Sequence, residues 1–318
     1  MQEEILLTGR RGRLFGRLWS GDTTEPNEAS SKDDGSVRRA VTEDRSESPG
    51  VLIAIHGLGD HGGRFQRVAE HLVPLGWHVF SFDLPGHGRS PGGRGRTSSF
   101  QGLLEDIDAA RQTVAERLPA AHQFLLGHSM GGNLTVNYAL RRHQMRHGDI
   151  GVRGVVLCAP MLLPPTPPPR PHIFAAWLTG HLMPWIHIDR PVDVESLTAD
   201  VSEARLLEDD PLVHSRVNLY LATQLLSQGR WALDHARSID FPLLVMLGDE
   251  DPLIDRSACE HLVIRGGGKA ELLQWSGRRH DLFHDRGGEE VLARMRDWMR
   301  QCDPVAGSNE GPQSDDHV

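Results

Sequence analysis

The chain has 318 residues, 38% of them hydrophobic and 24% charged, a balance that suits a globular protein able to bury one large core plus a small insertion. No apolar run reaches the length of a membrane span, and three scattered cysteines (Cys158, Cys259, Cys302) are too few for a disulfide framework or a zinc site. The net charge of −9 is concentrated in residues 21–50, with eight acids against four bases, and in residues 303–318, which hold Asp303, Glu310, Asp315 and Asp316 but no Lys or Arg; the nearly neutral remainder argues against nucleic acid as a partner.

Met1 to Glu4 is acidic and lacks the basic-then-apolar layout of a signal peptide. The expectation is a reducing, cytoplasmic location. Ile5 to Thr8 and Leu14 to Trp19 read as two strands around Gly9-Arg10-Arg11-Gly12, a hairpin at a sheet edge. Residues 21–50 are rich in Ser, Thr, Asp and Glu and should form a disordered loop. Val51 to Ile55 is a continuous apolar run, as in a strand covered on both faces. It ends in His56-Gly57-Leu58-Gly59-Asp60-His61. A helix from Arg64 to Leu75 stops at Gly76. Strand Trp77 to Phe82 then leads into a glycine-rich loop, Asp83 to Gly93. Phe100 to Leu118 sets Leu103, Ile107, Ala110 and Val114 on one helical stripe. Strand Gln123 to Leu126 runs into Gly127-His128-Ser129-Met130-Gly131 and a helix over Asn133 to Arg142. Val152 to Cys158 is another buried strand.

The β-α alternation breaks at the prolines of Pro164 to Pro171. His172 to Ile188 is apolar and aromatic, and Ser196 to Ala236 is more polar and helical. Alternation resumes with strand Pro242 to Leu247, helix Arg256 to Ile264, strand Ala270 to Trp275 and helix Glu289 to Gln301. The tail beyond Asp303 should be disordered. The pattern predicts an α/β fold with a mostly parallel, doubly wound sheet. Its core is 1–160 and 237–302. Residues 161–236 form a helical cap over the carboxyl edge of the sheet, where an active site would lie.

The chemistry-bearing residues follow from the turn at Ser129. G-x-S-x-G between a strand and a helix is the context of a nucleophile elbow. The glycines allow a strained turn, and the helix N-terminus favours developing negative charge. A serine nucleophile needs a base, and the base an orienting acid, in the chain order Ser, acid, His. Gly248-Asp249-Glu250-Asp251-Pro252 follows a strand and supplies the acid. Asp251 is preferred over Asp249 and Glu250, because a turn at Gly248 presents the residue three later and Pro252 stiffens it. Gly277 to His284 follows the last strand and supplies the base, His280, with His284 as its rival. The oxyanion hole needs two backbone N–H groups. Met130, after the nucleophile, offers one and Leu58 the other, with both side chains free to line the acyl site.

These motifs, H-G-L-G-D-H-G-G-R-F, D-L-P-G-H-G-R-S-P-G, G-H-S-M-G-G, G-D-E-D and R-H-D-L-F-H-D in this order, resemble the α/β-hydrolase family of monoglyceride lipases and lysophospholipases, the serine-aminopeptidase-like hydrolases. The resemblance implies an ester hydrolase without cofactor or metal, acting on a small lipid ester such as a monoacylglycerol or lysophospholipid. It implies that Asp60 and Arg64 help hold the glycerol head group, although the family more often has Glu and Tyr where this chain has Asp60 and Phe65. It also implies an amphipathic cap, in which Trp177 and Trp185 cover a lipid pocket and make transient contact with a membrane surface. The nearer alternative is a short-chain esterase, thioesterase or peptidase of the same fold. The farther one is a non-catalytic binding protein.

Overall fold

The computed structural model describes residues 1–10, 12–21, 50–97, 99–146, 148, 150–189, 191 and 193–303. Apart from its end residues, the 21–50 stretch expected to be disordered lies outside these, as does the tail beyond 303.

An eight-stranded sheet organises the chain. Its strands are β1 (Gln2–Gly9), β2 (Gly12–Trp19), β3 (Val51–Ile55), β4 (His78–Phe82), β5 (Gln123–His128), β6 (Gly154–Cys158), β9 (Leu243–Gly248) and β10 (Ala270–Trp275), in the order β1-β2-β4-β3-β5-β6-β9-β10. The β1–β2 and β2–β4 pairs are antiparallel, and every pairing from β4 to β10 is parallel. A parallel strand buried on both faces must be apolar at every position. Val51 to Ile55 meets that demand with no exposure at any residue. Alternate side chains serve opposite layers. Val51, Ile53 and Ile55 join one core cluster, and Leu52 and Ala54 join another.

Helices α2 (Phe100–Arg117), α3 (Met130–Met145) and α8 (Arg256–Gly266) fill one face, and α1 (Gln66–Leu72) and α9 (Gly288–Gln301) the other. In α9, Val291, Leu292, Met295, Trp298 and Met299 are buried on one stripe. Side chains of this size contribute about 1.5–3 kcal/mol each when fully buried. The helix expected from Arg64 to Leu75 is α1 flanked by single 3-10 turns, and Gly76 ends it with φ 87°.

Between β6 and β9 the chain leaves the sheet to form α4 (Arg170–Leu182), β7 (His187–Asp189), α5 (Val194–Leu197), α6 (Val201–Glu208), β8 (Arg216–Asn218) and α7 (Leu219–His235). The single helical stretch expected from Ser196 to Ala236 is therefore corrected. It is three helices and a three-residue strand, and β8 pairs antiparallel with β7. Asp209-Asp210-Pro211 interrupts the run, because Pro disfavours a helical residue before it.

Candidate active site

The turn after β5 is built on one strained residue. Ser129 has φ 54° and ψ −115°, a conformation that costs a non-glycine residue roughly 1–3 kcal/mol. Its surroundings hold it there. Its N–H donates to the Cys158 carbonyl at 3.0 Å, and its own carbonyl accepts from Asn133 at 3.2 Å and Met161 at 2.9 Å. A Cβ on Gly131 would lie 2.1 Å from the Ile55 carbonyl oxygen, so only glycine lets α3 approach β3 this closely. Ser129 occupies the N-cap position of α3, where a serine ordinarily accepts from the first turn. Here the hydroxyl makes no capping bond. It is left at the positive end of a 16-residue helix.

Asp251 follows β9 and His280 follows β10. His280 Nδ1 lies 2.7 Å from Asp251 Oδ2. An ionised carboxylate only accepts, so Nδ1 carries the proton and Nε2 presents a lone pair. The two side chains are 4% and 0% exposed. The second oxygen of Asp251 accepts from the Leu253 N–H at 2.8 Å. The alternatives stand elsewhere: Asp249 accepts from Ser276 and Gly277 at the surface, Glu250 is exposed, and His284 Nδ1 is 3.0 Å from Asp281. His128, beside Ser129 in sequence, places its ring 5.1 Å from that of His280, and its Nε2 lies 3.4 Å from the His280 carbonyl. Burial lowers the His128 pKa; Asp281 and Asp60 oppose this, and His280 adds to it. A neutral imidazole therefore separates the elbow from the base loop.

The loop after β3 runs against Ser129. A Cβ on Gly57 would touch the Ser129 Cβ at 3.3 Å. His56 locks this loop: Nδ1 donates to the Gly57 carbonyl at 2.8 Å, and Nε2 accepts from the Leu84 N–H at 2.9 Å. Leu58 is 37% exposed, whereas Met130 is buried in the core cluster that includes Leu221 and Leu225 of α7. Asp60 and Arg64 do come together, with Arg64 Nε 3.3 Å from Asp60 Oδ1. Arg64 is also bound to Asp281, a partner with no sequence signal. Trp177 and Trp185 are not brought to the triad. They are 42% and 58% exposed, and the only buried residue of α4 is Gly180. An α4 packed through Gly180 against α7 turns its large rings outward.

The segment between β6 and β9 is tied to the loops around the site. Asp281 N–H donates to Leu197 O at 2.8 Å, His214 N–H to Gly59 O at 2.8 Å and Asn218 N–H to Gly95 O at 3.0 Å. The Asn218 side chain, fully buried, caps α7 and donates to Thr97 O at 2.7 Å. Among the described residues, no group of three or more His, Cys, Asp or Glu side chains could hold a metal ion.

A parallel sheet with an antiparallel edge, a strained serine between β5 and α3, and an acid–histidine pair after the last two strands define the α/β-hydrolase class. Residues 46–287 match the model of the family described as serine aminopeptidase, S33, and the chain belongs to that family. The monoglyceride lipase of Rattus norvegicus is 30% identical over 269 residues, covering 83% of this chain and 86% of that protein. An abhydrolase domain-containing protein of Dictyostelium discoideum is 28% identical over 266 residues, and this chain spans 27% of its length. The crystal structure of the Paleococcus ferrophilus monoacylglycerol lipase is similar with a TM-score of 0.74 and 25% identity, covering 91% of this chain and 99% of that one.

Proposed function

We propose that this chain is a serine hydrolase of carboxylic esters that acts on monoacylglycerols or lysophospholipids. The observations that carry this reading are the buried His280–Asp251 pair at 2.7 Å and a strained serine whose hydroxyl no helix cap consumes. Ser129 Oγ attacks the ester carbonyl carbon while His280 Nε2 takes its proton. Asp251 keeps the other imidazole proton on Nδ1 and stabilises the imidazolium. The N–H groups of Leu58 and Met130 receive the oxyanion. His280 returns its proton to the leaving alcohol, and a water molecule, activated the same way, releases the fatty acid from Ser129.

The lipid substrate is supported by relatives named monoglyceride lipase or monoacylglycerol lipase in rat and Mycolicibacterium smegmatis. The segment 161–236 acts as a cap over the site, and the outer face of α4, with Trp177 and Trp185, touches lipid surfaces. Among the described residues no helix is long and apolar enough to cross a membrane.

The test is hydrolysis of monoacylglycerols from short to long acyl chains beside a lysophospholipid, with Ser129→Ala as control. A preference for medium or long chains, abolished by the substitution, is expected. Turnover of acetyl and butyryl esters only would replace the lipase reading with a short-chain esterase. Undiminished hydrolysis by Ser129→Ala would remove the mechanism.

A further inference from the structure

The base arrives from far away. β10 is the edge strand and β3 stands four places inward, yet the loop after β10 has to meet groups that follow β3 and β5. Whatever pins that loop inward sets whether base and nucleophile face each other.

One such connection is buried and charged. Arg64 Nη2 donates to Asp281 Oδ2 at 2.5 Å, across 217 positions of chain. Arg64 lies just beyond the loop that carries Gly57 and Leu58, and Asp281 adjoins His280. The side chains are 12% and 8% exposed. Both groups have further partners: Arg64 also meets Asp60, and the other Asp281 oxygen accepts from His284 Nδ1 at 3.0 Å. Burial opposes both charges, yet both persist. The Asp281 carboxyl is held well below the usual carboxylate range by His284 and Arg64, and the Arg64 guanidinium is pushed up by Asp60 and Asp281.

We propose that Arg64 and Asp281 form a positioning clasp that holds the His280 loop against the oxyanion loop, and that Arg64 is committed to this clasp rather than to a glycerol head group. The inference rests on the triad reading above. Asp281 touches no reacting atom in this scheme; it acts through its neighbour. Removing either partner strands a buried charge and lets the loop relax outward. A displacement of about 1 Å at a catalytic group lowers rate by as much as about 100-fold.

A pair of substrates separates clasp from head-group site. Mono-octanoylglycerol and p-nitrophenyl octanoate share an acyl chain, and only the first has a glycerol head. Kinetics are measured for wild type, Arg64→Met, Asp281→Asn and the double variant. The clasp requires kcat to fall about 10- to 100-fold on both esters, with KM within about twofold. It also requires the double variant to be no worse than the poorer single one, because both substitutions open the same link. Arg64→Lys keeps the charge but not the fork and should restore part of the rate on both esters; this milder variant decides the matter if Arg64→Met does not fold. A loss seen only as raised KM for the glycerol ester, or additive losses in the double variant, overturns the clasp. Wild type that cleaves neither ester, or Ser129→Ala that cleaves both, sinks the triad reading and the clasp with it, so the two failures are told apart.

Discussion

At Asp251 the question is which imidazole nitrogen carries the proton. An aspartate accepts from Nδ1 at 2.7 Å and leaves Nε2 free to take a proton. Asp251→Asn offers an amide that can donate instead, which favours the opposite tautomer. The expected loss in kcat is about 10⁴-fold, the size the wrong tautomer costs in serine proteases, with little change in melting temperature. Steady-state kinetics on a p-nitrophenyl ester beside calorimetry checks both; a loss under about tenfold would unseat Asp251. Gly131 makes a steric prediction. Alanine there would put its Cβ 2.1 Å from the Ile55 carbonyl oxygen, where backbone must move on both sides. A cost of about 1–3 kcal/mol, read from urea unfolding, should come with loss of activity as the elbow shifts. The strained turn at Ser129 and the pairing of Asp251 with His280 were legible because each follows from a local motif and the order of strands. Asp281 and His128 were not, because their meaning depends on Arg64 and His280, which lie 217 and 152 positions away.

Between elements, three imidazoles come together where three loops meet. His56 follows β3, His87 lies in the glycine-rich loop after β4, and His214 precedes β8, with ring centroids 5.1 and 4.8 Å apart in turn. Burial comes first among the causes that lower all three pKa values. For His87 the neighbouring His56 and His214 lower it further, and Arg94 adds to this. Asp60 and Asp83 oppose the effect at His56, and Arg94 and Arg216 reinforce it at His214. The folded state therefore keeps these rings neutral where the unfolded chain already binds protons. Stability is fully present above about pH 6.5 and is lost as pH falls below it, by about 1.4 kcal/mol per pH unit for each of the buried His56 and His87 while it stays neutral, and by less for the half-exposed His214, where solvent screens the effect. The low carboxyl of Asp281 works in a separate window, below about pH 4. Urea midpoints from pH 7.5 to 5.0 should fall, and His87→Gln should flatten that slope by about one proton; a slope unchanged in the variant refutes the assignment. None of this was visible in sequence, where eighteen histidines give no hint of which ones meet. The same holds for β7 and β8. Three-residue strands carry too little periodicity to be seen, and only their pairing makes them strands.

For the whole molecule, the proposed lipid contact depends on the exposed surface and the net charge together. The chain is polar on average, with mean hydropathy −0.38, yet α4 and its flank expose Phe174 at 64%, Leu182 at 67%, Trp177 at 42% and Trp185 at 58%. A net charge of −9 opposes approach to anionic membranes. The lipid contact proposed for this face would therefore be apolar rather than electrostatic, which fixes three outcomes. The protein should partition onto phosphatidylcholine vesicles, added phosphatidylserine should not tighten binding, and raising salt should not release it. Replacing Trp177 and Trp185 together by serine removes about 2 kcal/mol of apolar contact, if each ring is partly buried in lipid. That corresponds to a roughly 30-fold weaker partition. Turnover of a dissolved short-chain ester should stay within about twofold of wild type, because these rings stand outside the triad. Vesicle co-flotation and the soluble-ester rate are measured on the same protein samples. Equal flotation by both proteins would assign the exposed rings to something other than lipid. Loss of the soluble-ester rate would move them back into the catalytic pocket.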